Sequence, residues 1–531
     1  MLLVGWCPLR NGFPRAVKGI GLDRHGRAPF RQKSQHSLAF DQRPSRIEVL
    51  VGVAHCNLPD SEPFPSLDPM TAEVHLRPDR CAAVAALTLK DGLGMPQALP
   101  PRSQLSRLIA TDAFWWSTGI EDTFITAPHP VTGRTLDEYE LTGHYDRWPE
   151  DLGLVAELGV SCARYGVPWH RIQPEPNTWD WTFPDETLKR LLGLGVAPQV
   201  DLVHYGLPAW IENAFLHPDY AKYVAEYAAR LAERFRGRIT WYTPLNEPRI
   251  TAWYCGRLGW WPPYRRSWPG FVALMMAIAK GMVETVKALE SVDPEIVPYF
   301  VDATDLFDTD HPDFEDEARH RQEIVFLALD LVSGRIDEHH RLWPWLLKNG
   351  AREADLAWFL DNAAALPVIG MNLYPMFTQK KLLRDASGRF RIRMPYAGAD
   401  LITRLGRLYH ERYGVPLMIS ETASMGSLRR RLDWLNASVA ATRQLRDEGI
   451  PLVGYTWWPM FSLVTWAYRQ GQRPVTEHLA EMGLWDILPD EADPLRRVRT
   501  PAVDIYQQLV RGGAGAVGML SEAPLRASAQ R

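Results

Sequence analysis

From about residue 106 to residue 511 the chain repeats one pattern: a short apolar run, a polar loop, then an amphipathic helix. Apolar runs fall at 111–117, 160–165, 197–203, 239–245, 296–301, 366–373, 416–420 and 452–458. Helical periodicity fills the intervals, as at 144–158, 218–236, 271–289 and 432–448. Runs separated by helices pair in parallel, because a parallel connection needs a crossover long enough to hold a helix. Eight such units over roughly 400 residues fit a (β/α)₈ TIM barrel with enlarged loops, an α/β fold. The competing doubly wound sheet would want a glycine-rich phosphate turn after an early strand, and the sequence has none.

The flanks lack this order. Residues 1–105 scatter Pro, Arg, Gly and Ser without a sustained period, as at 59–69, and read as a disordered extension or the product of a misassigned start, with Met70 and Met95 as later starts. A strand at 47–53 and a helix at 81–87 are the segment's only candidate elements. The barrel is expected over 106–511 and a flexible tail over 512–531. Net charge is −4, so no basic footprint speaks for nucleic acid. The five cysteines, Cys7, Cys56, Cys81, Cys162 and Cys255, are odd in number and widely spaced, which indicates neither a disulfide framework nor a zinc site. No metal or organic cofactor is expected. The first ten residues do not read as a signal peptide, and no apolar run is long enough to span a membrane, so a cytoplasmic protein is expected.

Barrel enzymes carry their chemistry at the C-terminal ends of the strands. Those ends here are Arg164-Tyr165, His204-Tyr205, Asn246-Glu247, Asn372-Leu373-Tyr374, Glu421 and Trp457-Trp458. Two glutamates delivered to one rim are the minimal equipment for cleaving a glycosidic bond, one protonating the leaving oxygen and the other attacking the sugar or activating water. A lone strand-end glutamate is usually a solvated charge and a lone histidine usually a core residue. Polar groups arriving together from six strands reverse that reading. Most of the 21 tryptophans are assigned to the core.

Several stretches resemble family 1 glycoside hydrolases, the β-glucosidase family within the clan of (β/α)₈ retaining glycosidases. They run in order from about 110 to 490: Phe114 to Asp122, His144 to Asp151, Arg164 to Ile172, His204-Tyr-Gly-Leu-Pro208, Leu245-Asn-Glu-Pro248, Ile369-Gly-Met-Asn-Leu-Tyr374, Ile419-Ser-Glu-Thr-Ala423, and Gly454 through Ala467. The resemblance implies a retaining mechanism with Glu421 as nucleophile and Glu247 as acid/base. Arg164 and Tyr374 are expected against Glu421, lowering its pKa, while Glu247 stays protonated near neutral pH. Asn246 would hold the 2-hydroxyl, His204 the next hydroxyl, and Trp458 would stack beneath the ring, with Asn372 and Trp466 also lining the sugar. The substrate would be a small glycoside or oligosaccharide, hydrolysed at an O-glycosidic bond.

The sequence also departs from that family. Its glutamate for the hydroxyls at carbons four and six aligns with Thr465, and its glycone-binding glutamine falls near Glu121 or Asp122. A glycone other than plain glucose is therefore expected. Arg469 and Arg473 read as solvated loop charges, with an anionic sugar group as the other possibility. Two alternatives stay open: a transglycosidase using the same residues, and a non-catalytic carbohydrate-binding barrel. Oligomeric state is not legible.

Overall fold

The computed structural model describes residues 103–110 and 113–512. Eight parallel strands close into a barrel: β1 Trp115–Gly119, β2 Cys162–Gly166, β3 Ala197–Asp201, β4 Trp241–Thr243, β5 Val297–Ala303, β6 Val368–Asn372, β7 Leu417–Thr422 and β8 Leu452–Trp457. Each strand pairs with its neighbours in sequence, and β1 closes the ring on β8 through Trp115↔Gly454 to Thr118↔Trp457. The expected (β/α)₈ barrel is the observed one, and each expected strand overlaps an observed strand. The main differences lie at strand ends. The 239–245 run contributes only Trp241–Thr243 to the ladder, since Leu245 to Glu247 already turn toward the rim.

Helices cover the outside by apolar stripes. Tyr220–Arg234 buries Tyr220, Val224, Tyr227, Ala228 and Leu231 at helical spacing. The long helix Trp268–Val292 starts at an N-cap serine, with Ser267 Oγ accepting from Gly270 N at 3.0 Å, and it packs along the former. Each fully buried leucine or phenylalanine on such a face contributes roughly 1.5–3 kcal/mol. The N-terminal mouth of the barrel is plugged by Leu105 and Leu108 of the helix Ser103–Leu108, which meet Trp241, Val297, Val368 and Val453 near the strand starts. The last helix, Pro501–Arg511, is tied to β1 by Tyr506, whose hydroxyl donates to Ser117 O at 2.6 Å.

The sequence reading did not foresee a three-stranded sheet of Leu306–Thr309, Gln379–Arg384 and Phe390–Arg393 beside the barrel. The segment His144 to Asp151 proves to be a fold device. His144 lies between Asp151 at 2.8 Å and the Tyr165 hydroxyl at 2.8 Å, and Arg497 donates to Asp151 at 2.9 Å. Apart from Ser103 to Leu105 and Gly512, the expectations for 1–105 and 512–531 lie outside the described residues, including the strand at 47–53 and the helix at 81–87. No helix among the described residues is long and apolar enough to cross a membrane.

Candidate active site

Strand register brings the polar ends together. Glu421 of β7 lies beside Asn372 of β6, and Arg164 of β2 lies beside Gly119 of β1. Glu247 leaves the end of β4 with φ +46°, a left-handed conformation that a glutamate adopts at a cost on the order of 1–3 kcal/mol. Pro248 then opens a short helix, Pro248–Ala252, so the carboxyl is set at a turn fixed on both sides. Gly119 is required: a Cβ there would come within 2.1 Å of the Trp458 ring.

Arg164 organises the centre and is fully buried. Its Nη1 pairs with Glu421 Oε1, while its Nη2 sits 2.5 Å from Asp201 Oδ2 and donates to Asn246 Oδ1 at 2.7 Å. The guanidinium also lies 4.7 Å from the centre of the Trp458 ring, a cation–π contact. The Tyr374 hydroxyl donates to Glu421 Oε2 at 2.7 Å. Glu247 meets two neutral donors: Asn372 Nδ2 at 3.0 Å on Oε1, and the Tyr205 hydroxyl on Oε2. Asn372 Nδ2 reaches Asn246 Oδ1 at 3.2 Å, and its own Oδ1 accepts from Ser420 at 2.6 Å. An unbroken chain of contacts thus joins the two glutamates.

His204 lies within this chain. Its Nε2 is 2.9 Å from Asn246 Nδ2, and its Nδ1 is 2.5 Å from Asp122 and 3.5 Å from Asp201. Asn246 is oriented by Arg164, so its amide donates to Nε2, and the imidazole proton belongs on Nδ1 facing Asp122. Glu121 turns the other way. Its Oε2 accepts from Trp458 Nε1 at 3.0 Å and its Oε1 from Thr123 at 2.6 Å. Of the two adjacent acids, Glu121 faces the tryptophan and Asp122 the histidine.

The electrostatics differ from the expectation at one point. Arg164 and Tyr374 do press on Glu421, yet burial outweighs them and pushes its carboxyl up to about 8, with Glu247 adding to the rise. One guanidinium serves two buried acids. Asp201, despite its burial, is held below the usual range by Arg164 and His204. Burial lifts Asp122 to about 6 against the pull of His204. Removing the competitor should help Glu421 ionise. In Asp201→Asn, the acid limb of the kcat/KM profile is expected to move to lower pH, from a wild-type position well above an ordinary carboxylate's. An unmoved or upward-moving limb would contradict this sharing of Arg164.

The expected site residues Glu247, Glu421, Arg164, Tyr374, Asn246, His204, Glu121, Asn372 and Trp458 form one cluster. Thr465 stands apart with its hydroxyl 3.0 Å from His478 Nδ1. Trp466 packs with Tyr205, Tyr254 and Trp261, ring centres 5.0–5.4 Å away. Arg469 is a buried tie between loops, donating to Trp260 O, Ala127 O and Tyr264. Arg473 is exposed and pairs with Glu477 at 3.3 Å, as a loop charge would. Sequence reasoning missed Tyr205, Asp201 and Glu138, a fully buried acid whose Oε2 accepts from Val464 N at 3.0 Å, next to Thr465. The signal for Tyr205 was its place directly after His204 at a strand end. Among the described residues, two groups have metal-like spacing, Asp122–Asp201–His204 and Glu323–Asp330–His340. Each already holds a guanidinium within 2.5 Å of a carboxylate, from Arg164 and Arg412 respectively.

Comparison with known proteins agrees with this geometry. The sequence pattern of Glycosyl hydrolase family 1 matches residues 115–325. A bifunctional β-D-glucosidase/β-D-fucosidase of Bifidobacterium breve is 27% identical over 413 residues, spanning 67% of this chain and 86% of the relative. β-Glucosidase A of Thermotoga maritima is 23% identical over 366 residues, 62% of this chain and 80% of the relative. In three dimensions a family 1 β-glucosidase from Thermotoga maritima superposes with a TM-score of 0.64 at 19% identity, covering 76% of this chain and 98% of that one. The fold, the matched sequence pattern and these relatives point the same way: over residues 115–325 the chain is similar to glycosyl hydrolase family 1, and it is a glycoside hydrolase acting on O-glycosyl compounds.

Proposed function

We propose that the chain is a retaining β-glycosidase in which Glu421 is the nucleophile and Glu247 the acid/base. The observation that carries this is the unequal surroundings of the two carboxyls. Glu421 is met by a cation and a phenol, Arg164 and Tyr374, which oppose the effect of burial and supply the partners an ionised nucleophile needs. Among the described residues, the donors that meet Glu247 are neutral, Asn372 and Tyr205. In the first step Glu421 bonds to the anomeric carbon while Glu247 gives its proton to the departing oxygen. In the second step Glu247 takes a proton from water as the water oxygen bonds to that carbon and the bond to Glu421 breaks. Asn246, held by Arg164 and His204, would meet the 2-hydroxyl. Asn372 acts by holding Glu247 and Asn246, because its amide is spent on them and on Ser420.

We read the glycone as one that lacks or modifies a hydroxyl at its far end. Thr465 offers no carboxylate there and its hydroxyl is spent on His478. The Bifidobacterium breve relative is named for β-D-fucoside as well as β-D-glucoside cleavage, and D-fucose has no hydroxyl at carbon six. The test is intact-protein mass after incubation with activated 2-fluoro glycosides of glucose, fucose and galactose. A covalent adduct mapped to Glu421, strongest with the fucoside, is expected. Folded protein that takes no adduct from any of the three would favour a carbohydrate-binding barrel.

A further inference from the structure

We propose that Tyr205 is a positioning residue for the acid step: its hydroxyl holds Glu247 Oε2, the carboxyl oxygen that serves the leaving group. This rests on the assignment of Glu247 as acid/base. Glu247 has one oxygen committed to the scaffold, since Oε1 accepts from Asn372 at 3.0 Å and Asn372 is itself anchored by Ser420. Oε2 is the oxygen left for chemistry, and the Tyr205 hydroxyl is its partner.

The phenol is not a mobile neighbour. Tyr205 is 2% exposed and its backbone is left-handed, φ +70°. Its ring meets His204 edge-on at 4.5 Å, Trp261 at 5.1 Å and Trp466 at 5.3 Å. The next residue must be glycine, because a Cβ on Gly206 would sit 1.4 Å from Phe124 O. A hydroxyl fixed in this way donates best to Oε2 when that oxygen carries charge. Oε2 gains charge in the first step, when its proton leaves for the glycosidic oxygen and the bond from that oxygen to the anomeric carbon breaks. It keeps that charge through the glycosyl-enzyme, until water returns a proton. Tyr205 therefore eases proton donation and aims the base for the second step.

The experiment compares Tyr205→Phe with the wild type on 2,4-dinitrophenyl and methyl β-D-fucosides and β-D-glucosides. Dinitrophenolate departs without a proton, whereas methoxide does not. A hydrogen bond to a charged group predicts a kcat/KM loss on the order of 10- to 100-fold with the methyl glycosides. The dinitrophenyl glycosides should form the glycosyl-enzyme within about threefold of the wild-type rate. Equal losses on both would make Tyr205 a packing residue, and no loss on either would remove its role. Tyr205→Leu, which carries no donor, should show the same split and serves if the phenylalanine variant does not fold. Glu247→Gln is the control for the underlying assignment. If it shows no split, the acid/base reading fails, and if it alone shows one, only the Tyr205 proposal fails.

Discussion

Replacing Glu421 with glutamine is expected to lower kcat/KM by roughly 10⁴-fold or more on every glycoside, activated ones included. That is about 5 kcal/mol of transition-state stabilisation, at 1.36 kcal/mol per decade. Glutamine nearly matches the shape, and its amide oxygen can still accept from Arg164 while its NH2 donates to the Tyr374 hydroxyl oxygen, so the loss comes from the missing anion that would bond to the anomeric carbon. The variant should remain folded. The Glu421 carboxyl is raised by burial to about 8. A raised carboxyl gives the folded state an advantage that is complete below its unfolded value and is lost as pH rises through the folded one. Glutamine mimics the protonated form and keeps that advantage at every pH. Thermal unfolding at pH 8 and 9 should therefore show a melting temperature no lower than the wild type's. Substantial turnover by a folded Glu421→Gln protein would overturn the nucleophile assignment.

The barrel was legible because its periods are strong and its strands consecutive: eight apolar runs gave eight strands in sequential order. The rim was legible because barrel chemistry sits at strand ends, which made Arg164, Glu247 and Glu421 candidates before any contact was known. Contacts that depend on direction were not legible. Glu121 and Asp122 are adjacent in sequence yet face opposite partners, Trp458 and His204, and the path of the backbone past the end of β1 decides which goes where. The rise in the Glu421 pKa was missed for a related reason. Sequence names the neighbours of a carboxyl but not how deeply it is buried, nor that Arg164 is shared with Asp201. Asp201 was passed over because it lies inside the apolar run 197–203. The side sheet at 306–309, 379–384 and 390–393 was missed because short polar strands such as Gln379–Arg384 carry little apolar signal.

The sharing of Arg164 carries the second large effect. Arg164→Met should destabilise the fold by roughly 3–5 kcal/mol, the cost of leaving a buried charge without its partner. Both Asp201 and Glu421 lie against this guanidinium in a fully buried centre, and His204 is the other basic group in contact with Asp201. Part of that penalty is escaped if the stranded acids take up protons, so the loss should be smaller at low pH than at pH 8. Asp201→Asn in the same background removes one of the two stranded charges and should restore a large part of the stability. It should not restore turnover, because Asn246 and Glu421 would still lack the group that holds and ionises them. Denaturant melts of the single and double variants, read beside kcat/KM, separate the two roles. If Arg164→Met unfolds at wild-type denaturant concentration, the buried ion pair is not what holds this centre together. If the double variant regains activity along with stability, Arg164 acts on the fold alone and not on the nucleophile.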